Sequence, residues 1–128
     1  MSEHVQLEVP LTARYATTVR SVVASLATAS GMTIDDIDDL RLGVNEAISL
    51  LTDLDEPDVD GGRLHVRFET EPGKITVVAH RTGVADSAPP PELDVLATRI
   101  LGAVVDEFSI GDDGVFLLVK RVATDVDA

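Results

Sequence analysis

The sequence contains no cysteine and no tryptophan, and aromatic residues occupy only 3% of its 128 positions. Without cysteine the chain can form no disulfide, no Cys-ligated zinc site and no thiol nucleophile. It also lacks any uninterrupted apolar run near the roughly 20 residues that span a bilayer, and it has no signal-peptide pattern at its N-terminus. We therefore expect a soluble, cytoplasmic protein that has no membrane segment.

Basic residues are scarce as well. The chain has 23 acidic and 10 basic residues, which gives a formal net charge of −13. A surface of this sign repels nucleic-acid phosphates and anionic lipid, and it suits a basic protein partner. An acidic surface that only serves solubility would give the same count. The charge thus argues against direct binding of nucleic acid or membranes.

The usual signatures of a catalytic or metal site are missing. The three histidines, His4, His65 and His80, have no nearby partner at metal-ligand spacing. The chain has no GxxxxGKS/T or GxGxxG loop to hold phosphates, and no serine lies in a Gly-x-Ser-x-Gly setting. Taken alone, the residues indicate neither a catalytic site nor a metal site.

Aliphatic residues are abundant, and their spacing predicts the secondary structure. The clearest helix runs from Thr33 to Thr52, with Thr33 and Asp36 as a capping pair. Its apolar stripe consists of Ile34, Ile37, Leu40, Val44, Ala47, Ile48 and Leu51. Further helices are predicted from about Thr12 to Ala29, with Arg14 and Arg20 on the solvent side, and from Glu92 to Asp106 through Leu93, Leu96, Ala97, Ile100 and Val104.

Alternating apolar residues predict four strands. They run from His4 to Val9, Arg63 to Thr70, Ile75 to His80 and Val115 to Val122, and the middle two form an antiparallel hairpin. Residues 53–62 are predicted to be an acidic loop and residues 123–128 a frayed tail. The order β-α-α-β-β-α-β predicts a single domain over residues 1–128, an α/β two-layer sandwich in which helices cover one face of a mixed, mostly antiparallel sheet.

Several segments resemble one known family. They are Leu7-Glu8-Val9, Val19 to Val23, Asp39-Leu40-Arg41-Leu42-Gly43-Val44-Asn45-Glu46-Ala47, and Val105 to Ile110. Together they look like the anti-sigma-factor serine kinases of the histidine-kinase-like (GHKL) ATPases. The resemblance implies the Bergerat-like fold of that group, a homodimer, and as partner a sigma factor or an anti-anti-sigma protein. It also places Arg20 where the family has an arginine that contacts partners.

The resemblance fails on the helix that carries the family's magnesium site. Family members have a glutamate that polarises water and, four residues later, an asparagine that binds the ion. Here Glu46 matches the glutamate, but Leu50 stands at the asparagine position and offers no oxygen. Asn45 cannot replace it, because one residue back along a helix points about 100° away.

A second family motif, which binds adenine, is also altered. It consists of an aspartate followed by two spaced glycines, and the matching stretch here is Ala79 to Ala85. Arg81 replaces the aspartate, Gly83 is retained, and Ala85 replaces the second glycine. An arginine cannot accept the hydrogen bond that the adenine amino group donates. The family's ATP lid is represented only by the short segment 86–91.

We therefore expect a regulatory binding protein that sequesters a sigma factor or binds its antagonist, with no cofactor, no metal and no enzymatic activity. On this interpretation Glu46 and Gly83 are vestiges of a nucleotide site, and Arg20 contacts the partner. One alternative is an active ATP-dependent serine-protein kinase that phosphorylates an anti-anti-sigma protein, with Glu46 as catalytic base and with ATP and magnesium as cofactors. Another is a small α/β domain that regulates an unrelated partner.

Overall fold

The computed structural model describes residues 3–52, 61–85 and 88–122, which form five strands and three α-helices. The strands are β1 (Glu3–Pro10), β2 (Arg63–Glu71), β3 (Lys74–Thr82), β4 (Glu107–Ile110) and β5 (Phe116–Arg121). The helices are α1 (Ala16–Ala29), α2 (Ile34–Thr52) and α3 (Val95–Val104), and a 3₁₀ turn at Ala13–Tyr15 precedes α1.

The five strands form one sheet in the order β1-β2-β3-β5-β4. The predicted hairpin is confirmed, since β2 pairs with β3 antiparallel and Glu71 lies opposite Lys74. The sheet was expected to be mixed and mostly antiparallel, and all four pairings among the described residues are antiparallel. Because β3 pairs with β5 in the antiparallel direction, the described part of the sheet has no parallel pair of strands.

The helices cover one face of the sheet, as a two-layer α/β sandwich requires. On β2 the alternate residues Leu64, Val66 and Phe68, which were predicted to face inward, are all buried. Helix α1 contributes Val19 and Val23 to the same core, and α2 contributes Leu40, Val44, Ala47, Ile48 and Leu51. The predicted fold class is therefore confirmed.

Helix α2 begins with the predicted capping pair. The Asp36 N–H donates to Thr33 Oγ1 at 3.1 Å, and the Thr33 N–H donates to Asp36 Oδ2 at 3.3 Å. The prediction that Ile34 belongs to the buried stripe is wrong, because Ile34 is 77% exposed. Ile34 is the first residue of α2, and the buried apolar part of the helix begins only at Leu40.

The last third of the chain differs most from the prediction. The helix expected from Glu92 to Asp106 is shorter, and the chain turns extended at Val105. Strand β4 then follows, which the sequence analysis did not predict. Leu96, expected in the buried stripe of this helix, is 66% exposed, whereas Leu101 is fully buried.

The predicted acidic loop lies mostly outside the described residues, which omit 53–60, and the predicted tail at 123–128 lies wholly outside them. In the part of the chain that the structure describes, no helix has both the length and the apolar character needed to cross a membrane.

Candidate functional site

Helices α2 and α3 border a cleft of about 390 Å³ that contains the residues matched to the family's magnesium site. We call it the α2–α3 cleft; its lining residues are Glu46, Ser49, Leu50, Thr52, Asp94, Leu96 and Ala97. Glu46 and Leu50 lie one helical turn apart, so both face the cleft from α2. The structure thus places the predicted catalytic candidate Glu46 at a concave surface.

Asn45 faces a different part of the molecule from Glu46. Its Oδ1 accepts a hydrogen bond of 2.6 Å from Nη1 of Arg20 on α1. This contact directs the Asn45 side chain toward α1 rather than toward Leu50 and the cleft. The sequence analysis did not foresee the pairing, because nothing in a single helix pattern shows which neighbouring helix lies beside Asn45.

Arg20 was predicted to lie on the solvent side of α1, and it is half-buried instead. Besides Asn45, its guanidinium contacts Thr17, whose Oγ1 accepts from Nη2 at 3.1 Å. The side chain is therefore held in one orientation at the junction of α1 and α2. Such a fixed guanidinium loses little conformational freedom if it binds an acceptor on another protein.

Leu50 is half-buried and brings only methyl groups to the cleft. A magnesium ion needs oxygen ligands, and Glu46 alone would supply them from this helix. Across residues 3–52, 61–85 and 88–122, no group of three or more His, Cys, Asp or Glu residues is placed to hold a metal ion. At the position of the family's asparagine, the described residues therefore offer no oxygen ligand to magnesium.

Arg81 lies on the covered face of the sheet, opposite buried Leu64 in the β2–β3 register. Its Nη1 donates to the main-chain carbonyl of Leu51 at 3.2 Å, and its Nη2 donates to that of Pro89 at 2.6 Å. The guanidinium thus ties the end of α2 to the segment that precedes α3. The position where the family has an acceptor for adenine is occupied by a donor group that is already bonded to the chain.

Gly83 has a conformational role of its own. Its φ is +75°, in the left-handed region that favours glycine, and a Cβ at this position would collide with the main chain of Gly61. The chain therefore requires glycine here to let two backbone segments approach. A ligand is not needed to explain why Gly83 is present.

The charges around the α2–α3 cleft are negative. Glu46 and Asp94 are its charged lining residues, and in the described part of the chain no lysine, arginine or histidine lines it. Asp94 also caps α3, since its Oδ1 accepts from the Ala97 N–H at 2.7 Å. A helix N-terminus can bind phosphate through its free N–H groups, but here the chain's own carboxylate occupies it. The described lining of the cleft therefore supplies no cation to a polyanionic ligand.

A separate polar row crosses the open face of the sheet. The rings of His65 and His80 stack with centroids 4.7 Å apart, and His65 Nδ1 lies 3.4 Å from Glu8 Oε1. Burial and the neighbouring His65 lower the pKa of His80, while Asp113 acts in the opposite direction. The alternation of strand residues could have located these side chains on one face, but only the strand order brings the two histidines together.

Comparison with known proteins agrees with this fold. The chain is similar to the serine-protein kinase RsbW of Bacillus velezensis, with 26% identity over 116 residues that cover 91% of this chain and 72% of that protein. The model of the histidine kinase-like ATPase domain family matches residues 9–128. The chain therefore belongs to the histidine kinase-like ATPase domain family.

Proposed function

We propose that this protein is a regulatory binding protein of the anti-sigma type, which sequesters a sigma factor or binds its antagonist and uses no ATP. The observation that carries the proposal is the bonding of Arg81 to the Leu51 and Pro89 carbonyls. Arginine has donors only, so it cannot accept the hydrogen bond that an adenine amino group donates.

Two further features of the cleft support the loss of nucleotide chemistry. Leu50 removes the oxygen that would hold magnesium on the phosphates. Asp94 adds a second negative charge to that of Glu46, which the family also has, on a chain whose net charge is already −13. Without a counter-ion, this arrangement repels ATP.

The partner side of the proposal rests on the resemblance and on Arg20. An anti-sigma protein needs a surface that binds its partner, and Arg20 is a preorganised donor at the junction of α1 and α2. The acidic surface suits a basic partner such as a sigma factor. By the same resemblance we propose that the protein acts as a homodimer in the cytoplasm.

The alternative is an active serine-protein kinase, as its relative RsbW is named. The observation in its favour is that Glu46 faces the α2–α3 cleft, where a base would be placed. It would require ATP and magnesium, and magnesium would have to be held without Leu50. The alternative and our proposal differ in whether the protein binds nucleotide at all.

Titration with magnesium ATP tests this difference. A ligand at 100 times its Kd stabilises the folded state by about 2.7 kcal/mol, so binding would raise the Tm. We expect neither heat in calorimetry nor a Tm shift at millimolar nucleotide, while B. velezensis RsbW serves as the positive control. Magnesium-dependent stabilisation of this protein would contradict the proposal and favour the kinase.

Co-expression with each sigma factor of the organism tests the partner. We expect one of them to copurify, and Arg20→Ala to reduce its recovery. Arg14→Ala is the matched control, because Arg14 is an exposed arginine that lies just before α1 and contacts Tyr15. Equal recovery with both variants would show that Arg20 has no special part in binding.

A further inference from the structure

We propose that the α2–α3 cleft is a docking site for a basic segment of a partner protein, in which aliphatic side chains flank a lysine or arginine. The inference rests on the proposed function, because the cleft is open to a protein segment only if it holds no nucleotide. It adds a second contact region to the one around Arg20, on a different face of α2.

The apolar part of the site includes exposed side chains. Val95 and Leu96 are adjacent in the first turn of α3, and they are 73% and 66% exposed. Leu96 borders the cleft together with half-buried Leu50 on α2. A single exposed leucine is ordinary, and Val95 does not line the cleft, but Leu96 and Leu50 together give this acidic cleft an apolar wall.

The polar part of the site selects the charge of the occupant. Among the described residues, the Glu46 carboxylate makes no hydrogen bond or ion pair, and Asp94 uses one oxygen to cap α3. Both carboxylates border the cleft beside the aliphatic side chains. A lysine or arginine between them would be paired with opposite charge and have its apolar stem packed on Leu50 or Leu96.

The size of the cleft and the charge of the chain narrow the choice of occupant. A volume of about 390 Å³ is near the lower end of small-ligand pockets, so it accepts a few side chains rather than a folded element. A second copy of this chain would bring another acidic surface with a net charge of −13. Nucleic acid and anionic lipid are repelled for the same reason. A basic protein segment fits both the charge and the aliphatic lining.

A titration followed by NMR tests the inference with peptides of known chemistry. The probes are short amidated peptides in which leucine alternates with lysine, leucine alternates with glutamate, or serine alternates with lysine. We expect millimolar leucine–lysine peptide to shift the amide signals of Leu50, Leu96 and Ala97, and the other two peptides to leave them unchanged. The serine–lysine peptide separates a built site from general attraction to an acidic protein.

Variants locate the binding. Leu96→Ser removes an aliphatic contact that the bound peptide would bury, and it should weaken binding of the leucine–lysine peptide about tenfold. Glu46→Gln removes one partly exposed charge, and it should weaken binding of the leucine–lysine peptide about threefold. Leu42→Ser and Asp35→Asn are the matched controls, because both residues are exposed on α2 and neither borders the cleft. Each variant's Tm confirms that it is folded.

Three results would overturn the inference. The first is no binding of the leucine–lysine peptide, which leaves the proposed function in place. The second is equal binding of the serine–lysine peptide, or equal affinity of the cleft and control variants, since the attraction would then be unspecific. The third is displacement of the peptide by magnesium ATP, which contradicts the proposed function as well and is thereby distinguished from the other two.

Discussion

Arg20 and Asn45 join α1 to α2 through a hydrogen bond of 2.6 Å from Nη1 to Oδ1. The neighbouring residue on α2, Glu46, borders the α2–α3 cleft instead. Two adjacent residues of α2 therefore lie in the two regions to which we assign partner contacts: Asn45 in the region around Arg20, and Glu46 in the α2–α3 cleft. The bond also predicts how the protein responds to substitution at Asn45.

Asn45→Ala removes the acceptor and should lower the free energy of unfolding by about 1 kcal/mol, as a typical hydrogen bond contributes. Asn45→Asp keeps an acceptor for the Arg20 guanidinium, so it should lower the free energy of unfolding by less than Asn45→Ala does. Urea denaturation measures both, with Ser49→Ala as control, because Ser49 is exposed one turn further along α2. Equal losses for Asn45→Ala and Ser49→Ala would show that the bond contributes nothing.

Arg81→Ala should loosen the segment before α3. It leaves the Leu51 and Pro89 carbonyls without their donor, and the loss of stability should be about 1–3 kcal/mol. Hydrogen exchange should accelerate more than elsewhere at the Ala97 and Thr98 amides, which bond to Asp94 at the start of α3. Arg67→Ala is the control, since Arg67 is an exposed strand residue that pairs with Glu69. Unchanged exchange at these amides would contradict the role assigned to Arg81.

Substitution of two helical glycines by alanine should change the stability of the protein in opposite directions. At Gly43 on α2 a Cβ would lie 2.8 Å from Cγ1 of Val105, so Gly43→Ala should cost about 1–3 kcal/mol through overpacking. At Gly102 on α3 nothing lies within 4 Å, and Gly102→Ala should stabilise the protein by about 0.5–1 kcal/mol. Thermal unfolding of both variants gives the comparison. A more stable Gly43→Ala would show that α2 can move away from Val105.

Gly83→Ala should be among the most damaging substitutions outside the core, because it combines a left-handed backbone with a collision against Gly61. Gly31→Ala shares the strained backbone, with φ at +82°, but has open space around it. We expect Gly31→Ala to cost about 1 kcal/mol and Gly83→Ala clearly more. Urea denaturation in the absence of any nucleotide measures the difference, and equal costs would contradict the packing explanation.

The histidine row predicts a pH dependence of stability. Burial and His65 lower the pKa of His80 below its ordinary value of 6.5, although Asp113 opposes the shift. The unfolded chain therefore takes up a proton at higher pH than the folded protein, and stability should fall as the pH decreases below about 6.5. His80→Gln should flatten this slope in urea titrations at a series of pH values. The same slope in both proteins would show that His80 contributes nothing to it.

The parts of the fold with strong local signals were predictable. The capping pair at Thr33 and Asp36 and the alternation in β2 each depend on neighbouring residues, and both are confirmed. Strand β4 was missed because four residues are too few for a pattern, and its pairing with β5 is a tertiary contact. Leu96 was misassigned because helical spacing fits a stripe through Leu96 or through Leu101, and only packing distinguishes them.

The residue types at the candidate site could be read from the sequence, but the hydrogen bonds that these residues make could not. Residue type alone indicates that Leu50 offers no oxygen to a metal ion and that Arg81 offers no acceptor to an adenine amino group. That Arg81 donates to two carbonyls, and that Arg20 is half-buried against Asn45, depends on distant parts of the chain meeting. The capping role of Asp94 could have been predicted, because an aspartate before an apolar helical run is a common N-cap.

The edge position of β1 has a consequence for how the chain folds during synthesis. Its partner β2 follows both α1 and α2 in the sequence, and the register joins Glu3 to Thr70. Helices form within about a microsecond, whereas ribosomes add about 5–20 residues per second. On a growing chain, β1 and both following helices are therefore complete for about a second or more before β2, with which β1 pairs, has been synthesised. A chain that stalls before residue 63 exposes an unpaired strand, which is the kind of segment that chaperones bind and that aggregates recruit.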